Sequence, residues 1–149
     1  MKRIILLLIS IIISAAAFSQ DVVKLGNELL DATDMEDARF ILVNNDMTIE
    51  TSDKIFIDLN KQIIASNGSN IICIVTTGKQ DNHVASVTFI SESMIDGLED
   101  NLSNLGYKAV SNTEDGEYCS GNKSCKISHQ TLNRVEVIQI EFSVNYNQK

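Results

Sequence analysis

The sequence predicts an α+β fold: a mainly antiparallel sheet with an N-terminal helix and one strand-helix-strand unit over residues 84–110. Three observations lead to this class. Strand-like stretches rich in β-branched residues fill much of the chain, one helical apolar stripe interrupts them, and a long alternating stretch lies near the C-terminus. Short turn-forming segments separate most of the strand candidates, as in antiparallel sheets.

The strand-helix-strand unit is the clearest local pattern. Val84–Ile90 is dominated by β-branched and aromatic residues and is typical of a strand. Ser93 stands three residues before Asp96, a spacing that predicts a helix start. Gly97 is unfavourable inside that helix by about 1 kcal/mol, and Gly106 is expected to end it before a final short strand. The residues predicted to form the buried helix face are Met94, Ile95, Leu98, Leu102 and Leu105.

Residues 1–19 have the pattern of a secretory signal peptide. Two basic residues, Lys2 and Arg3, precede an apolar stretch over residues 4–13, and small residues surround a cleavage point after Ser19. The apolar stretch is too short to cross a bilayer, which takes about 20 residues. We therefore expect residues 20–149 to form a single α+β domain that is secreted or periplasmic, with no membrane association after cleavage.

The charge balance limits the partners. The full chain has 12 basic and 20 acidic residues, a net charge of −8. Loss of the leader removes two of the basic residues, which leaves a net charge of −10 on the predicted mature chain. Nucleic acids and anionic membranes both require a basic surface, so neither is an expected partner. The chain contains no proline, and no internal repeat is visible in the sequence.

The first part of the mature chain combines a helix with two short strands. Apolar residues at helical spacing predict an amphipathic helix over Asp21–Asp31. The acidic stretch over residues 31–39 lacks the glycine and the ligand spacing of a calcium loop, so we interpret it as a solvated connection. Strands are predicted at Phe40–Val43 and at Met47–Thr51.

Residues 52–66 admit two interpretations. In one, Ser52–Ser66 is a helix, and the order of elements becomes the ferredoxin-like βαββαβ pattern, which is the alternative fold. In the other, the segment is a hairpin that turns at Asn60-Lys61 and returns over Ile63–Ala65. The abundance of β-branched residues favours the hairpin.

Two further strands are predicted in the second half of the sheet. Ile71–Thr77 has apolar residues on both faces, which is typical of a central strand covered on both sides. Arg134–Tyr146 alternates apolar and polar residues from Ile138 onward, so one face should be buried. Val135 and Val137 have the opposite parity, which predicts a bulge or a change of covered face.

The cysteines predict one disulfide. Cys119 and Cys125 have five residues between them, including a glycine, so in an exported chain we expect a structural bridge between them. Cys73 lies in an apolar strand and is interpreted as a buried small hydrophobic residue. Pairing of Cys73 with either of the others remains open at this point.

No catalytic motif is present, and no cofactor or metal site is expected. Ser120 and Lys123 have the Ser-x-x-Lys spacing of penicillin-recognising hydrolases without the companion motifs, so we attribute the match to chance. The main hypothesis is an exported, non-enzymatic binding or structural module that presents a sheet face, an edge or a loop to a protein partner. The alternative is an acidic inhibitor or immunity-type protein that binds a basic partner. The third is an enzyme with an unfamiliar site that uses Asp81, His83 or His129.

Overall fold

The computed structural model describes residues 22–50, 61–68, 71–78, 82–110 and 116–145. Within these residues an eight-stranded antiparallel sheet packs against three helices, which confirms the predicted α+β fold. The helices are α1 at residues 22–30, α2 at Met35–Asn44 and α3 at Leu98–Asn104. The strands are β1 Thr48–Ile49, β2 Gln62–Ser66, β3 Ile71–Thr77, β4 Val84–Ser91, β5 Lys108–Ala109, β6 Gly116–Ser120, β7 Lys123–Leu132 and β8 Val135–Val144.

The sheet consists of two antiparallel meanders joined at its centre. The strand order is β1-β2-β3-β4-β8-β7-β6-β5, so β4 and β8 are neighbours and β1 and β5 are the two edges. The unit over residues 84–110 is present as β4, α3 and β5, and α3 carries the chain from the middle of the sheet to its far edge. The predicted ferredoxin-like alternative is wrong, because residues 62–66 form a strand between β1 and β3. The first arm of the predicted hairpin falls in residues 51–60, outside the described residues.

All three helices contribute to one core on the same face of the sheet, which we call the inner face. The buried side chains Leu29, Leu42 and Leu102 come from α1, α2 and α3 respectively. They pack with the inward side chains of the strands, which alternate along each strand as expected for a half-buried sheet. The largest inward side chains include Ile63, Val75, Val87, Phe89, Ile140 and Phe142.

Helix α1 lies very close to the centre of the sheet. A Cβ atom placed on Gly26 would lie 2.5 Å from the ring of Phe142. This close approach explains the glycine in the middle of the helix, since any larger residue would force the helix and the strand apart. The helix predicted over Asp21–Asp31 is confirmed for residues 22–30.

Helix α2 occupies a segment that the sequence predicted as a loop and a strand. The side chain of Asp34 accepts a hydrogen bond from the backbone N–H of Asp37 at 2.9 Å, which caps the helix, and two acids lie in the first turn. The strand predicted at Phe40–Val43 is wrong, because this cap starts a helix that buries Ala38 and Leu42 four residues apart. Phe40 and Val43 are exposed, whereas Ile41 packs partly buried against the core, so the burial pattern is not that of a strand.

Helix α3 begins later than predicted. Gly97 adopts a left-handed conformation with φ of 71° and stands at the helix N-cap, where no side chain caps the helix. Ser93 does not cap it either, since the helix begins at Leu98, five residues further on. The glycine that seemed unfavourable inside the helix therefore marks its start, and Met94 of the predicted buried face is exposed.

The chain contains an internal structural repeat. Repeat 1 runs from α2 through β4, and repeat 2 runs from α3 through β8; each is a helix followed by a four-stranded meander. The helix ends match in detail, because the carbonyl of Leu42 accepts from the N–H of Met47 and the carbonyl of Leu102 accepts from the N–H of Tyr107, both at 3.0 Å. This structural repeat was not visible in the sequence.

The strand register extends the repeat across the sheet. Cys73 pairs with Phe89 in repeat 1, and Cys125 pairs with Phe142 in repeat 2. In the same register Thr88 is equivalent to Glu141, and these two residues pair with each other where β4 meets β8. A pseudo-two-fold axis therefore passes through this pair, and the rings of the two phenylalanines meet edge to face beside it, with centroids 6.2 Å apart.

Candidate binding surface

The second face of the sheet, which we call the outer face, bears no helix within the described part of the chain. Its side chains are those that alternate with the buried inner ones. Ile72 on β3 is 44% exposed, although its neighbours Ile71 and Cys73 are buried. The prediction that β3 is covered on both faces is therefore wrong for these residues, and the apolar residues on its second face are accessible.

The two repeats differ on this outer face. Strand pairing makes Ile72 of β3 equivalent to Ser124 of β7, and Ile90 of β4 equivalent to Ser143 of β8. The serine hydroxyls are hydrogen-bonded to each other at 2.7 Å, so that end of the face is polar. The outward apolar residues of repeat 1 are Ile64, Ile72, Ile74 and Ile90, and their equivalents in repeat 2 are Glu117, Ser124, Lys126 and Ser143.

An open groove of about 500 Å³ lies at the apolar end of the outer face. It runs between the β3–β4 side of the sheet and the β7–β8 hairpin. Its floor includes Val137, which is 6% exposed, and its hairpin wall includes Leu132 and Val135, both more than 40% exposed. The residues that line it are Ser66, Gly68, Ile71, Ile72, Ile90, Glu92, Leu132, Asn133, Val135 and Val137.

The register of the β7–β8 hairpin directs the two valines into the groove. Asn133 and Arg134 both have positive φ, 50° and 70°, as a tight two-residue hairpin turn requires. Val135 to Val144 then pair with β7 without a register shift. Of the two predicted alternatives near Ile138, the bulge is absent. The covered face changes there instead, because Val137 is buried on the outer face and Ile138 on the inner face. The predicted inward alternation from Ile138 is confirmed.

The charge at the groove is acidic. Glu92 is the one charged side chain among the groove-lining residues that the structure describes. The hydroxyl of Ser66, also in the lining, donates to the carboxylate of Glu50. Both acids are part of the overall net charge of −8, so the groove has an apolar interior with two carboxylates beside it.

The predicted disulfide between Cys119 and Cys125 is not formed in this structure. Cys119 pairs with Ser124 and Cys125 pairs with Tyr118, so the two thiols lie on opposite faces of the β6–β7 hairpin. All three cysteines are free thiols. Burial raises the pKa of the Cys73 thiol to about 12, and burial, assisted by the charge of Glu141, raises the pKa of the Cys125 thiol to about 12. Neither thiol is therefore activated as a nucleophile.

The histidines named for an enzymatic site do not converge. His83 directly precedes the first residue of β4. His129 pairs with Ile138 of β8, and Ile138 in turn pairs with Ser91, the last residue of β4. Eight residues of strand separate them, roughly 26 Å at 3.3 Å per residue. Asp81 lies outside the described residues. Among the residues that the structure describes, no group of three His, Cys, Asp or Glu side chains could hold a metal ion.

Lys123, the second residue of the Ser-x-x-Lys match, has a structural role. Its ammonium lies 2.6 Å from the carboxylate of Asp31 and 3.1 Å from the side-chain oxygen of Asn27. The hydroxyl of Tyr107 donates to the same oxygen of Asn27 at 3.2 Å. Burial is the largest cause that raises the pKa of Tyr107 to about 12. These contacts attach α1 to repeat 2.

No protein-family model, no curated protein and no solved structure matches this chain. In the described part of the chain, none of the helices has the length and apolarity that crossing a membrane requires. The groove on the outer face is therefore the feature from which a function can be inferred.

Proposed function

We propose that this chain is a non-enzymatic binding module that engages a protein partner through the groove on the outer face. The observation that carries this proposal is an apolar groove on a sheet face that no described helix covers. Exposed apolar surface with a polar rim is typical of interaction sites. Here the rim consists of Ser66, Glu92 and Asn133, and the interior consists of isoleucine, leucine and valine side chains.

Repeat 2 supports this proposal as an internal reference. Away from the groove, its outer face has the polar side chains expected where a sheet meets water, such as Ser124, Lys126 and Ser143. The same backbone positions in repeat 1 carry isoleucine. Since the fold is compatible with polar residues at these positions, the isoleucines are not required by the architecture, and binding gives a reason for them.

The proposed setting is outside the cytoplasm. The signal-like residues 1–19 support export, and the acidic charge supports a protein partner over nucleic acid or an anionic membrane. A second candidate function follows from the charge alone: an acidic inhibitor or immunity-type protein that blocks a basic enzyme or toxin. That candidate requires the captured partner to lose activity when bound.

A photo-cross-linking experiment tests the binding proposal. A benzophenone amino acid is placed at Ile72, inside the groove, and in separate variants at Thr76 and Phe40. Thr76 is on the same strand and the same face but outside the groove, and Phe40 is an exposed residue on α2. We expect irradiation of the source cells to link one distinct protein from position 72 and not from the other two.

Cross-links that are equal at all three positions, or confined to Thr76 or Phe40, would contradict the proposal. Absence of any cross-link from position 72 would contradict it as well. The inhibitor candidate is then distinguished by adding the purified chain to the captured partner and measuring the activity of that partner.

A further inference from the structure

Resting on the proposed function, we infer that the groove accepts apolar side chains from a basic segment of the partner, one segment per chain. The strands beside the groove are already paired, so the partner inserts side chains and does not add a strand. The acidic residues at the groove favour a basic segment. The outer faces of the two repeats differ, so there is one site per chain.

Strand pairing excludes addition of a partner strand at the groove. β3 is hydrogen-bonded to β2 and β4, and β8 is hydrogen-bonded to β4 and β7. β7 is likewise paired on both sides, by β6 and β8. The backbone groups along these strands are therefore already hydrogen-bonded to neighbouring strands. A partner can bind here by inserting its side chains between the outward side chains of the strands.

The size of the groove limits what can enter. Its volume of about 500 Å³ is in the range of roughly 300–1,000 Å³ that holds small ligands. Such a space suits a few apolar side chains on a short segment. The half-exposed Leu132 and Val135 on one wall and Ile72 on the other provide apolar contact on both sides.

Charge selects among the possible sources of an apolar segment. Glu92 lines the groove, and Glu50 is hydrogen-bonded to the groove residue Ser66. A second copy of this chain would bring its own net negative charge to the same place, and an anionic lipid surface would also be repelled. A segment with lysine or arginine beside its apolar residues is complementary to both the interior and the rim.

The pseudo-two-fold axis would create two sites if the repeats were alike. The positions equivalent to Ile72 and Ile90 are Ser124 and Ser143, whose hydroxyls bond to each other. That end of the outer face offers no apolar interior. One segment therefore binds per chain, although the backbone is duplicated.

Selection from a random peptide library displayed on phage tests this inference. The protein recovered from expressing cells is immobilised, and the library is counter-selected on Ile72→Asp, with Thr76→Asp as the matched control. Both changes add one carboxylate to the outer face of β3, but only the first lies in the groove. We expect enriched peptides that combine apolar and basic residues, bind the wild type and Thr76→Asp alike, and bind Ile72→Asp at least about tenfold more weakly, the factor that 1.4 kcal/mol corresponds to.

Two measurements on an enriched peptide complete the test. Calorimetry should give one peptide per chain. Glu92→Gln should weaken binding roughly two- to fivefold, as expected for loss of an exposed ion pair, and raised salt should weaken wild-type binding to a similar level. Where the aspartate variants fold poorly, as judged by circular dichroism, Ile72→Ser and Thr76→Ser replace them.

Enrichment of acidic peptides, two peptides per chain, or no enrichment that depends on Ile72 would each overturn the inference. These outcomes are distinguishable from failure of the proposed function. If position 72 still cross-links a protein in cells while no basic apolar peptide is selected, the groove binds a partner of different chemistry. If neither experiment involves position 72, both proposals are wrong.

Discussion

Repeat 1 and repeat 2 share a backbone plan and a core but differ in the chemistry of their outer faces. On the inner face a cysteine pairs with a phenylalanine in both, at Cys73–Phe89 and at Cys125–Phe142. On the outer face isoleucines in repeat 1 are replaced by serine, lysine and glutamate in repeat 2. The inner face must fill one common core, and this requirement keeps both repeats similar there. The outer face has no such requirement, so its residues are free to differ between the two repeats.

The strongest test of the equivalence concerns the core leucines of the two helices. Leu42 and Leu102 are both fully buried and occupy the same position before the helix end. We expect Leu42→Ala and Leu102→Ala each to lower the free energy of unfolding by about 2–5 kcal/mol, measured by urea denaturation. The control Leu105→Ala, at a half-exposed side chain, should cost much less. A large loss of stability in only one of the two variants would contradict the equivalence of the repeats.

The second prediction concerns the alkaline limit of stability. Burial raises the pKa of the thiols of Cys73 and Cys125 from 9.0 to about 12. Between these values the unfolded thiol has lost its proton while the folded thiol retains it. The contribution of the two thiols to the free energy of unfolding is therefore fully present below pH 9. It falls as pH rises toward 12, by up to about 1.4 kcal/mol per pH unit for each thiol.

Single Cys73→Ala and Cys125→Ala variants sharpen this prediction. Each should reduce the slope of unfolding free energy against pH between pH 9 and 11 by a similar amount, whatever its effect at neutral pH. Tyr107 contributes to the remaining slope above pH 10, since burial raises its pKa to about 12. A slope unchanged in either variant would indicate that its thiol is solvated, and would contradict equivalent burial of the two cysteines.

The third prediction compares the effects on stability of two substitutions, one at each of two equivalent positions after the helices. Asp46 and Gly106 occupy the same left-handed position after the helix, with φ of 59° and 85°. Gly106→Ala should cost about 1 kcal/mol, because the backbone there is unfavourable for a side chain. Among the described residues, the Ser120 hydroxyl at 3.7 Å is the one atom within 4 Å of an added Cβ, so the cost is conformational. Asp46→Gly should be neutral or stabilising by less than about 1 kcal/mol. Thermal unfolding monitored by circular dichroism measures both, and a shared sign would contradict the equivalence.

The smallest expected effect is at the groove. Ile72→Ser should change stability by less than about 1 kcal/mol, because the side chain is half exposed, whereas truncating a buried isoleucine costs about 2–5 kcal/mol. Denaturant unfolding of the variant beside Ile63→Ala, which is fully buried on the neighbouring strand, gives the contrast. Equal losses would show that the outer face is covered in solution, and the groove would then not be available to a partner.

The sequence predicts those elements whose local pattern and tertiary role agree. The alternation from Ile138 predicts β8, and the helical spacing after Asp21 predicts α1. Helix α2 is missed because the β-branched character of its second half outweighs the cap at Asp34 when the segment is considered alone. The bridge between Cys119 and Cys125 depends on hairpin register, which decides whether neighbouring side chains share a face.

The repeat and the groove are not visible in the sequence for physical reasons. Equivalent residues are 60 apart at the helix ends, as for Leu42 and Leu102, but 53 apart in the central strands, as for Phe89 and Phe142. No single offset therefore aligns the halves. The groove did leave signals, in the two-sided apolar pattern of β3 and the parity of Val135 and Val137. Such patterns are equally compatible with a covered face or a bulge, and only the strand order and register of the sheet distinguish between them.

Helix α1 has no counterpart in the duplication, and it spans the pseudo-two-fold axis at Gly26. Its first residues line a pocket with Met47 and Ile71 of repeat 1, whereas Asn27 and Asp31, the residue directly after the helix, bond to Tyr107 and Lys123 of repeat 2. Tyr107 is equivalent to Met47, and Lys123 is equivalent to Ile71. A platform with two-fold symmetry would accept such a helix in either direction. Reversal would bring Asp31 and Asn27 against a methionine and an isoleucine, which lack the ammonium and hydroxyl donors, so Lys123 and Tyr107 favour the observed direction of the helix.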